Sequence, residues 1–445
     1  MITVYIPNNF IPERSYAITT LLSHYCDIEI KIVPRSGQIH YEMSWEDKSI
    51  IIKDQFFGKT FVGESYVSPD RIPAGIVSAI IDGLESILIL YGEDKLEVTT
   101  QRIVSDADLF SSAFFMLTRW EESFGLHEVL HGRFPAEEAL TVKSGFILRP
   151  VVDEYVALLK KWMGLLGYPL PADNSEFKIV PTCDVDIPFY WRSRPGWKLL
   201  AGRFWKQKSI SAVKHDFSLM KAMRKGEQKD PFDKFDYLMT LAERKGTKIL
   251  FHMIGGGETK FEGYYNIDDP HIISLMKEFI KRGHTIGLHP SYNSFNDPKK
   301  LDKERIAVEK HSGVHVRSSR QHYLRFAVPQ TWAHLHNAYL KEDSTLGYAA
   351  EPGFRCGTCK PFPVFDIHQR KELPLVERPL LIMDVSLRFY KNFSIEESKV
   401  YCKMIMDQVK KHNGELVFLW HNSTLSEMDG WDGWSEVAES LFNFS

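Results

Sequence analysis

Four short stretches of the chain set acids and imidazoles where a packed core would tolerate them badly. Thr182-Cys183-Asp184-Val185-Asp186 puts two carboxylates one residue apart directly after an apolar run. Buried acids that close need a cationic partner or a metal ion, whereas either Asp alone serves equally well as a helix cap or turn residue. Gly283-His284-Thr285-Ile286-Gly287-Leu288-His289 ends another apolar run on His289, and Asn293 follows four residues later. Arg320-Gln321-His322-Tyr323 and Leu419-Trp420-His421 repeat the arrangement. One such His is more often a hydrogen-bonded structural residue than a ligand. Three of them together with an Asp-x-Asp point to metal-assisted hydrolysis: a carboxylate and imidazoles hold the ion, another acid or imidazole moves protons.

Other motifs carry less. His127-Glu128-Val129-Leu130-His131 is a literal His-Glu-x-x-His, and Glu154 offers a third ligand, so a zinc peptidase is an alternative. That chemistry needs both His on one face of a sustained helix, and Gly125, Gly132 and Pro135 leave barely two turns. Cys356-Gly357-Thr358-Cys359 has no second Cys pair to complete a thiolate site and reads as a structural loop. Gly255-Gly256-Gly257 lacks the Gly-Lys-Ser/Thr of a phosphate loop.

The elements that must position these residues change rhythm along the chain. Strand-like runs at 2–6, 28–33 and 49–53 precede helical patterns at 106–122 and 150–166, which predicts a compact α+β unit. A proline-bearing polar stretch, Pro169 to Glu176, marks a boundary. Beyond it strands and helices alternate: strands at 177–183, 247–254, 284–288, 314–319, 380–385 and 415–420, helices at 231–245, 270–282, 300–311, 331–340 and 395–412. Alternation of this kind predicts a parallel α/β sheet covered on both faces, closed or nearly closed into a (β/α) barrel. Chemistry in such barrels collects where strands end, and the four stretches above lie at strand ends.

Those residues also carry a resemblance. The chain from about residue 175 onward resembles the NodB-homology group, the polysaccharide deacetylases of carbohydrate esterase family 4, and is most similar to a variant group with its own N-terminal domain. The resemblance implies an N-terminal α+β domain over 1–172 and a distorted (β/α) barrel over 173–445. It also implies amide hydrolysis of an N-acetyl amino sugar with release of acetate. Carried over by motif, Asp184 is the catalytic base and Asp186 a metal ligand, the inserted Val185 leaving the reverse order open. His289 is a ligand and Arg320 orients Asp184. The backbone N–H of Tyr323 faces the oxyanion, and His421 is the general acid. Trp420 and Arg355 are counted as substrate contacts. The family's second metal His falls on Asn293, and a neutral amide is a poor ligand for zinc. Either the site is weaker or another residue completes it; His322, where the family has Pro, is the expected third ligand beside Asp186 and His289. The implied cofactor is a divalent metal, with zinc expected first. A deacetylase-like protein that binds glycans without catalysis is the second reading, motivated by Asn293.

Composition bounds the partners. With 44% hydrophobic and 25% charged residues the 445-residue chain is an ordinary globular protein, and a net charge of −3 argues against nucleic acid as a general partner. Five scattered cysteines and an N-terminus without a basic, cleavable leader predict a cytoplasmic protein. The near-neutral total hides a contrast, because residues 191–230 carry +8, with Trp191, Trp197 and Trp205 interleaved. That stretch is a candidate surface for anionic lipid at the inner membrane face, or for a pyrophosphate-linked glycan. The expected substrate is accordingly a cell-envelope polysaccharide or its lipid-linked precursor.

Overall fold

The computed structural model describes residues 1–60, 65–79, 86–124, 130–191, 217–218, 220–223 and 227–443. The first sheet has the order β2-β1-β3-β4-β8-β7, built from β1 Ile2–Pro7, β2 Ile30–Arg35, β3 His40–Trp45, β4 Lys48–Lys53, β7 Leu96–Val98 and β8 Arg102–Ser105. A separate two-stranded ribbon joins β5 Val77–Ala79 to β6 Ile87–Ile89. Alternation in β1 buries Ile2, Val4 and Ile6 on one face. The helix Leu109–Thr118 is predominantly apolar and entirely buried. Asp108 caps it by accepting from Ser111 N at 3.0 Å, and Arg119 in the left-handed conformation (φ 51°) ends it.

The second sheet carries the four reactive stretches. Its order is β14-β15-β13-β12-β11-β10-β9-β17-β16. The strands are β9 Lys178–Val185, β10 Leu250–Ile254, β11 Thr285–His289, β12 Ser318–Ser319, β13 Glu342–Asp343, β14 Phe362–Asp366, β15 Lys371–Glu377, β16 Ile382–Met383 and β17 Glu415–Leu419. All pairings from β15 to β16 are parallel, and only β14 runs antiparallel, against β15. The expected alternation is therefore present, but among the described residues β14 and β16 do not pair, so the sheet is open rather than a closed barrel. Three of its strands, β12, β13 and β16, are only two residues long. The chain after β13 lies across the gap, where Gly353 N donates to Leu381 O at 2.9 Å. Leu324, Ala349, Leu380, Met383, Val417 and Leu419 form a small apolar cluster at this seam.

Helices cover the sheet as a parallel arrangement requires. Asp269 and Asp297 cap Pro270–Lys281 and Pro298–Ser312, and a Ser394/Glu397 capping box starts Ile395–Lys411. Gly255, at the end of β10, lies against the helix Pro298–Ser312, where an added Cβ would sit 2.3 Å from Glu304 O. The Gly255-Gly256-Gly257 run thus permits a close helix approach. Among the described residues no helix is long and apolar enough to cross a membrane. Most of the basic segment, residues 192–216, lies outside the described residues.

The two sheets share one continuous apolar core. Tyr16 Oη donates to Pro363 O at 2.8 Å on β14, and Glu13 pairs with Arg370 at 2.6 Å. The antiparallel edge strand is in this way covered rather than left open for pairing. Asp153 accepts from Cys359 N at 2.9 Å, which fixes the Cys356–Cys359 loop; both thiols are buried and free. At the centre of the interface Glu122 takes Arg119 Nε at 2.9 Å, Arg355 Nε at 3.0 Å and Tyr348 Oη at 3.2 Å. Arg355 is 2% exposed and spends its charge here, so it is a structural residue between the sheets and not the substrate contact expected of it.

Burial alone would raise the Glu122 carboxyl, but Arg355 and Arg119 outweigh it and hold it below the ordinary carboxylate value. A carboxyl depressed by folding stabilises the protein above its unfolded pKa and loses that contribution as pH falls through the folded one. Wild-type stability should therefore decline below about pH 4.3 partly through Glu122. Glu122→Ala leaves the buried Arg355 without a carboxylate and Arg119 with Glu121 alone, and should cost about 3–5 kcal/mol in urea unfolding at neutral pH. A cost under about 1 kcal/mol, the range of an exposed ion pair, would contradict a sealing role.

Candidate active site and metal centre

Register explains how the reactive residues meet. Asp184 on β9 is opposite His252 on β10, and His252 is opposite Gly287 on β11. Side chains in register on parallel strands project to the same face, as do residues two apart on one strand. Asp186 thus follows Asp184 inward, just past the strand end. His289 closes β11, and Arg320 and His322 follow β12. Thr182 is opposite Leu419, which brings His421 to the other side of the Asp184–Asp186 pair.

Asp184 is 2% exposed, and its charge is met from two directions. Arg320 Nη1 lies 3.1 Å from Asp184 Oδ1, and His252 donates from Nδ1 to the same oxygen at 2.8 Å. Burial would raise this carboxyl; Arg320, His289 and His252 overcome it and hold it well below the usual range. Arg320 is itself fully buried. It donates from Nε to Ser344 O and from Nη2 to Ser344 Oγ, both at 2.8 Å, and from Nη1 to Thr182 Oγ1 at 2.5 Å. His252 is pushed down to about 4 by burial, so its imidazole is neutral at physiological pH. It fits only because its neighbour in register has no side chain: a Cβ on Gly287 would lie 2.6 Å from His252 Cδ2.

Asp186 faces three imidazoles. His289 Nε2 is 3.2 Å and His322 Nε2 3.6 Å from its Oδ1, and His421 Nε2 is 3.6 Å from its Oδ2. Burial would raise Asp186, but His322, His289 and His421 bring it to about 2. One ligand atom each from Asp186, His289 and His322 lies within 4.8 Å of the others. Two features fit this trio to a divalent cation. Asp186 Oδ1 is buried without a hydrogen-bond partner. His289 donates its other nitrogen, Nδ1, to Arg320 O at 2.6 Å, which fixes the tautomer that aims Nε2 at Asp186. Behind His322, Glu262 stands 3.8 Å from Nδ1 as a looser outer carboxylate. Asn293, the fallback ligand, is exposed, and its Oδ1 faces Arg325 at 3.5 Å; it does not join this trio.

On the opposite wall His421 donates from Nδ1 to Asp384 Oδ1 at 2.8 Å, and its backbone N–H donates to Asp384 Oδ2 at 2.8 Å. Burial would lower the imidazole; Asp384 above all, then Asp186 and Asp184, raise it to about 10. A cationic imidazole held there is equipped to give up a proton. Trp420, the neighbouring residue, is fully buried in the core and does not line the site, as strand alternation requires.

These groups open into a cavity of about 210 Å³, lined by Asp184, Asp186, His289, Gln321, His322, Tyr323, Met383, Tyr390 and His421 among others. Tyr323 lies at its edge in the left-handed conformation (φ 61°). Gln321 is 1% exposed, with both amide atoms buried and unpartnered in the cavity wall. A larger cleft of about 720 Å³, lined by Trp191, Asp230, Asp233 and Arg282 among others, shares no lining residue with this cavity.

Sequence reasoning missed His252, Asp384, Gln321 and Glu262. The signal for Asp384 was present, a lone acid ending the run Leu380-Leu381-Ile382-Met383. In the His-Glu-x-x-His motif, His127 and Glu128 lie outside the described residues. His131 has φ 67°, so no helix runs through it, and Glu154 is taken up by Arg149 at 2.7 Å.

Comparisons with known proteins add the following. Residues 2–166 match a family of unknown function, DUF7033. No curated protein matches the chain. Among solved structures the chain is similar to a candidate polysaccharide deacetylase from Mycobacterium smegmatis, at 15% identity and a TM-score of 0.38, over 61% of this chain and 84% of that one. It is also similar to the Xyl-CE4 domain of a multidomain xylanase from the hindgut metagenome of Trinervitermes trinervoides, at 12% identity and a TM-score of 0.29, over 60% and 82% of the two chains. A third is a mutant of BA3943, a CE4 family pseudoenzyme, at 12% identity and a TM-score of 0.29, over 62% and 68%.

The contact between Gly287 and His252 can be tested by one substitution. Gly287→Ala should displace His252 from Asp184 and lower stability by about 1–3 kcal/mol, as overpacking does. Thermal unfolding of the variant measures it, and an unchanged midpoint would remove Gly287 from the account.

Proposed function

We propose that the chain is a metal-dependent hydrolase that removes N-acetyl groups from an amino sugar of a cell-envelope polysaccharide or its lipid-linked precursor. In this reading residues 1–172 form an accessory unit and residues 173–445 the catalytic one. The observation that carries the proposal is the division of labour between two acids two residues apart. Asp184 is saturated by Arg320 and His252, while Asp186 keeps an unpartnered oxygen toward His289 and His322.

Asp186, His289 and His322 would hold the cation, zinc by the N and O character of the donors. A divalent ion in such a site supplies Lewis acidity and an acidified water. Asp184, kept ionised by Arg320, is the group that accepts the proton of the attacking water. His421, kept cationic by Asp384, stands across the cavity to protonate the leaving amine. The N–H of Tyr323 is the proposed oxyanion donor. The inert glycan-binding alternative rested on Asn293, and against it stands His322, which offers a third ligand atom close to Asp186 and His289.

Acetate release from N-acetylated oligosaccharides, with metal content measured in parallel, separates these roles. Asp184→Asn and Asp384→Asn should keep the metal and lose roughly a hundredfold or more in kcat. Asp186→Ala and His322→Ala should lose the metal itself, whereas Asn293→Ala should keep it. A His322→Ala protein with a full metal complement would remove His322 from the ligand set. Undiminished turnover by Asp184→Asn would overturn the role of that carboxylate.

A further inference from the structure

The mouth of the cavity is not built by the nine-stranded sheet alone. The segment that follows the helices of the first sheet reaches across to it. His131 hydrogen-bonds through Nδ1 to Tyr292 Oη at 3.0 Å, and its ring lies 4.5 Å from that of Tyr323. Two residues later Arg133 donates from Nη1 to Tyr323 O at 2.9 Å and from Nη2 to Tyr390 Oη at 2.7 Å. Arg133 lines the same cavity as Asp184, Asp186 and His421.

The anchors of Arg133 are neutral. They use two of the five N–H donors of a guanidinium and none of its charge. Among the described residues no carboxylate pairs with Arg133, nor with Arg325, which donates from Nε to His131 O at 2.7 Å on the same rim. The buried arginines of the interface are different, because Arg119 and Arg355 are neutralised by Glu121 and Glu122 together. A cation fixed in place by uncharged partners, at the entrance to a reactive cavity, is prepared for an anion that arrives with the substrate. Tyr323 and Tyr390, 36% and 45% exposed, stand on either side of it and offer faces to a sugar ring.

We propose that Arg133 is a specificity-determining residue that binds an anionic group, carboxylate or phosphate, on the sugar next to the one carrying the N-acetyl group. The proposal rests on the deacetylase reading, which puts the N-acetylated sugar at the reacting groups, and deepens it. Through Arg133 the first 172 residues contribute directly to substrate choice. A planar fork with free donors suits a carboxylate or phosphate held by two parallel hydrogen bonds.

The test is calorimetric binding to the full-length Asp184→Asn protein, with and without Arg133→Gln, which removes the charge but keeps amide donors for the two anchors. Three probes of equal length are used. One is a neutral N-acetylglucosamine tetramer, one alternates N-acetylglucosamine with glucuronic acid, and one is the tetramer carrying a phosphate monoester. The parent should prefer at least one anionic probe, and Arg133→Gln should weaken that probe roughly tenfold or more while moving the neutral one less than about threefold. The probe that responds identifies the anion. Tyr390→Phe, which removes one anchor and no charge, should retain most of the preference. No anionic preference in the parent, or equal weakening of all three probes by Arg133→Gln, would overturn the proposal. Because the readout is binding, the two readings fail separately. A protein that prefers the anion but releases no acetate in its wild-type form keeps this role and loses the hydrolase reading. An active enzyme without the preference does the reverse.

Discussion

A carboxylate buried at the end of a parallel strand must be compensated, and the contact between Arg320 and Asp184 is the compensation on which this fold's chemistry depends. Arg320 does more than neutralise. Its guanidinium touches Thr182 on β9 and Ser344 just past β13, and Thr182 in turn donates to Phe418 O on β17 at 2.7 Å. One buried cation thus ties together strand ends from across the open sheet. Its own carbonyl receives the Nδ1–H of His289. The charge of Asp184, the position of Arg320 and the tautomer of His289 are consequently a single arrangement. Removing any member leaves a buried polar group without its partner, which is costlier than a lost surface contact.

The same principle recurs at the larger scale. The second sheet is open between β14 and β16, and such edges invite pairing with other chains. Here one edge is covered by the first sheet's helices, and the contact is organised around Glu122 between Arg119 and Arg355. Buried ion pairs add little net stability, but they penalise any arrangement that separates them. That penalty holds the first unit against the second, and with it the segment that carries Arg133 to the cavity mouth. Packing at the interface and access to the site are linked by this geometry.

Much of the site was legible in the sequence because each residue interrupts an apolar run. Asp184, Asp186, His289 and His421 could be read as strand-end groups without any knowledge of their neighbours. His322 was singled out by chemistry, since a neutral amide at Asn293 is a poor ligand, and the fold brings it close to Asp186 and His289. His252 was not, because a lone His inside a strand has no signature until register sets it opposite Asp184 and Gly287. Trp420 could have been excluded, since alternation turns it away from the face that His421 uses. Arg355 could not, because only tertiary structure reveals that Glu122 reaches it from 233 residues away in sequence. Closure of the barrel was likewise beyond reach, because it depends on whether the edge strands β14 and β16 pair, and two-residue strands such as β16 leave no periodic pattern.

The proposed chemistry depends on a metal ion held between Asp186, His289 and His322. Anomalous diffraction at the zinc edge, from crystals of the full chain grown with zinc, tests that claim most directly. The account predicts one strong peak within bonding distance of Asp186 Oδ1, His289 Nε2 and His322 Nε2, with Asn293 outside its coordination sphere. A peak at the His127–His131 segment instead, or none between these three residues, would contradict it.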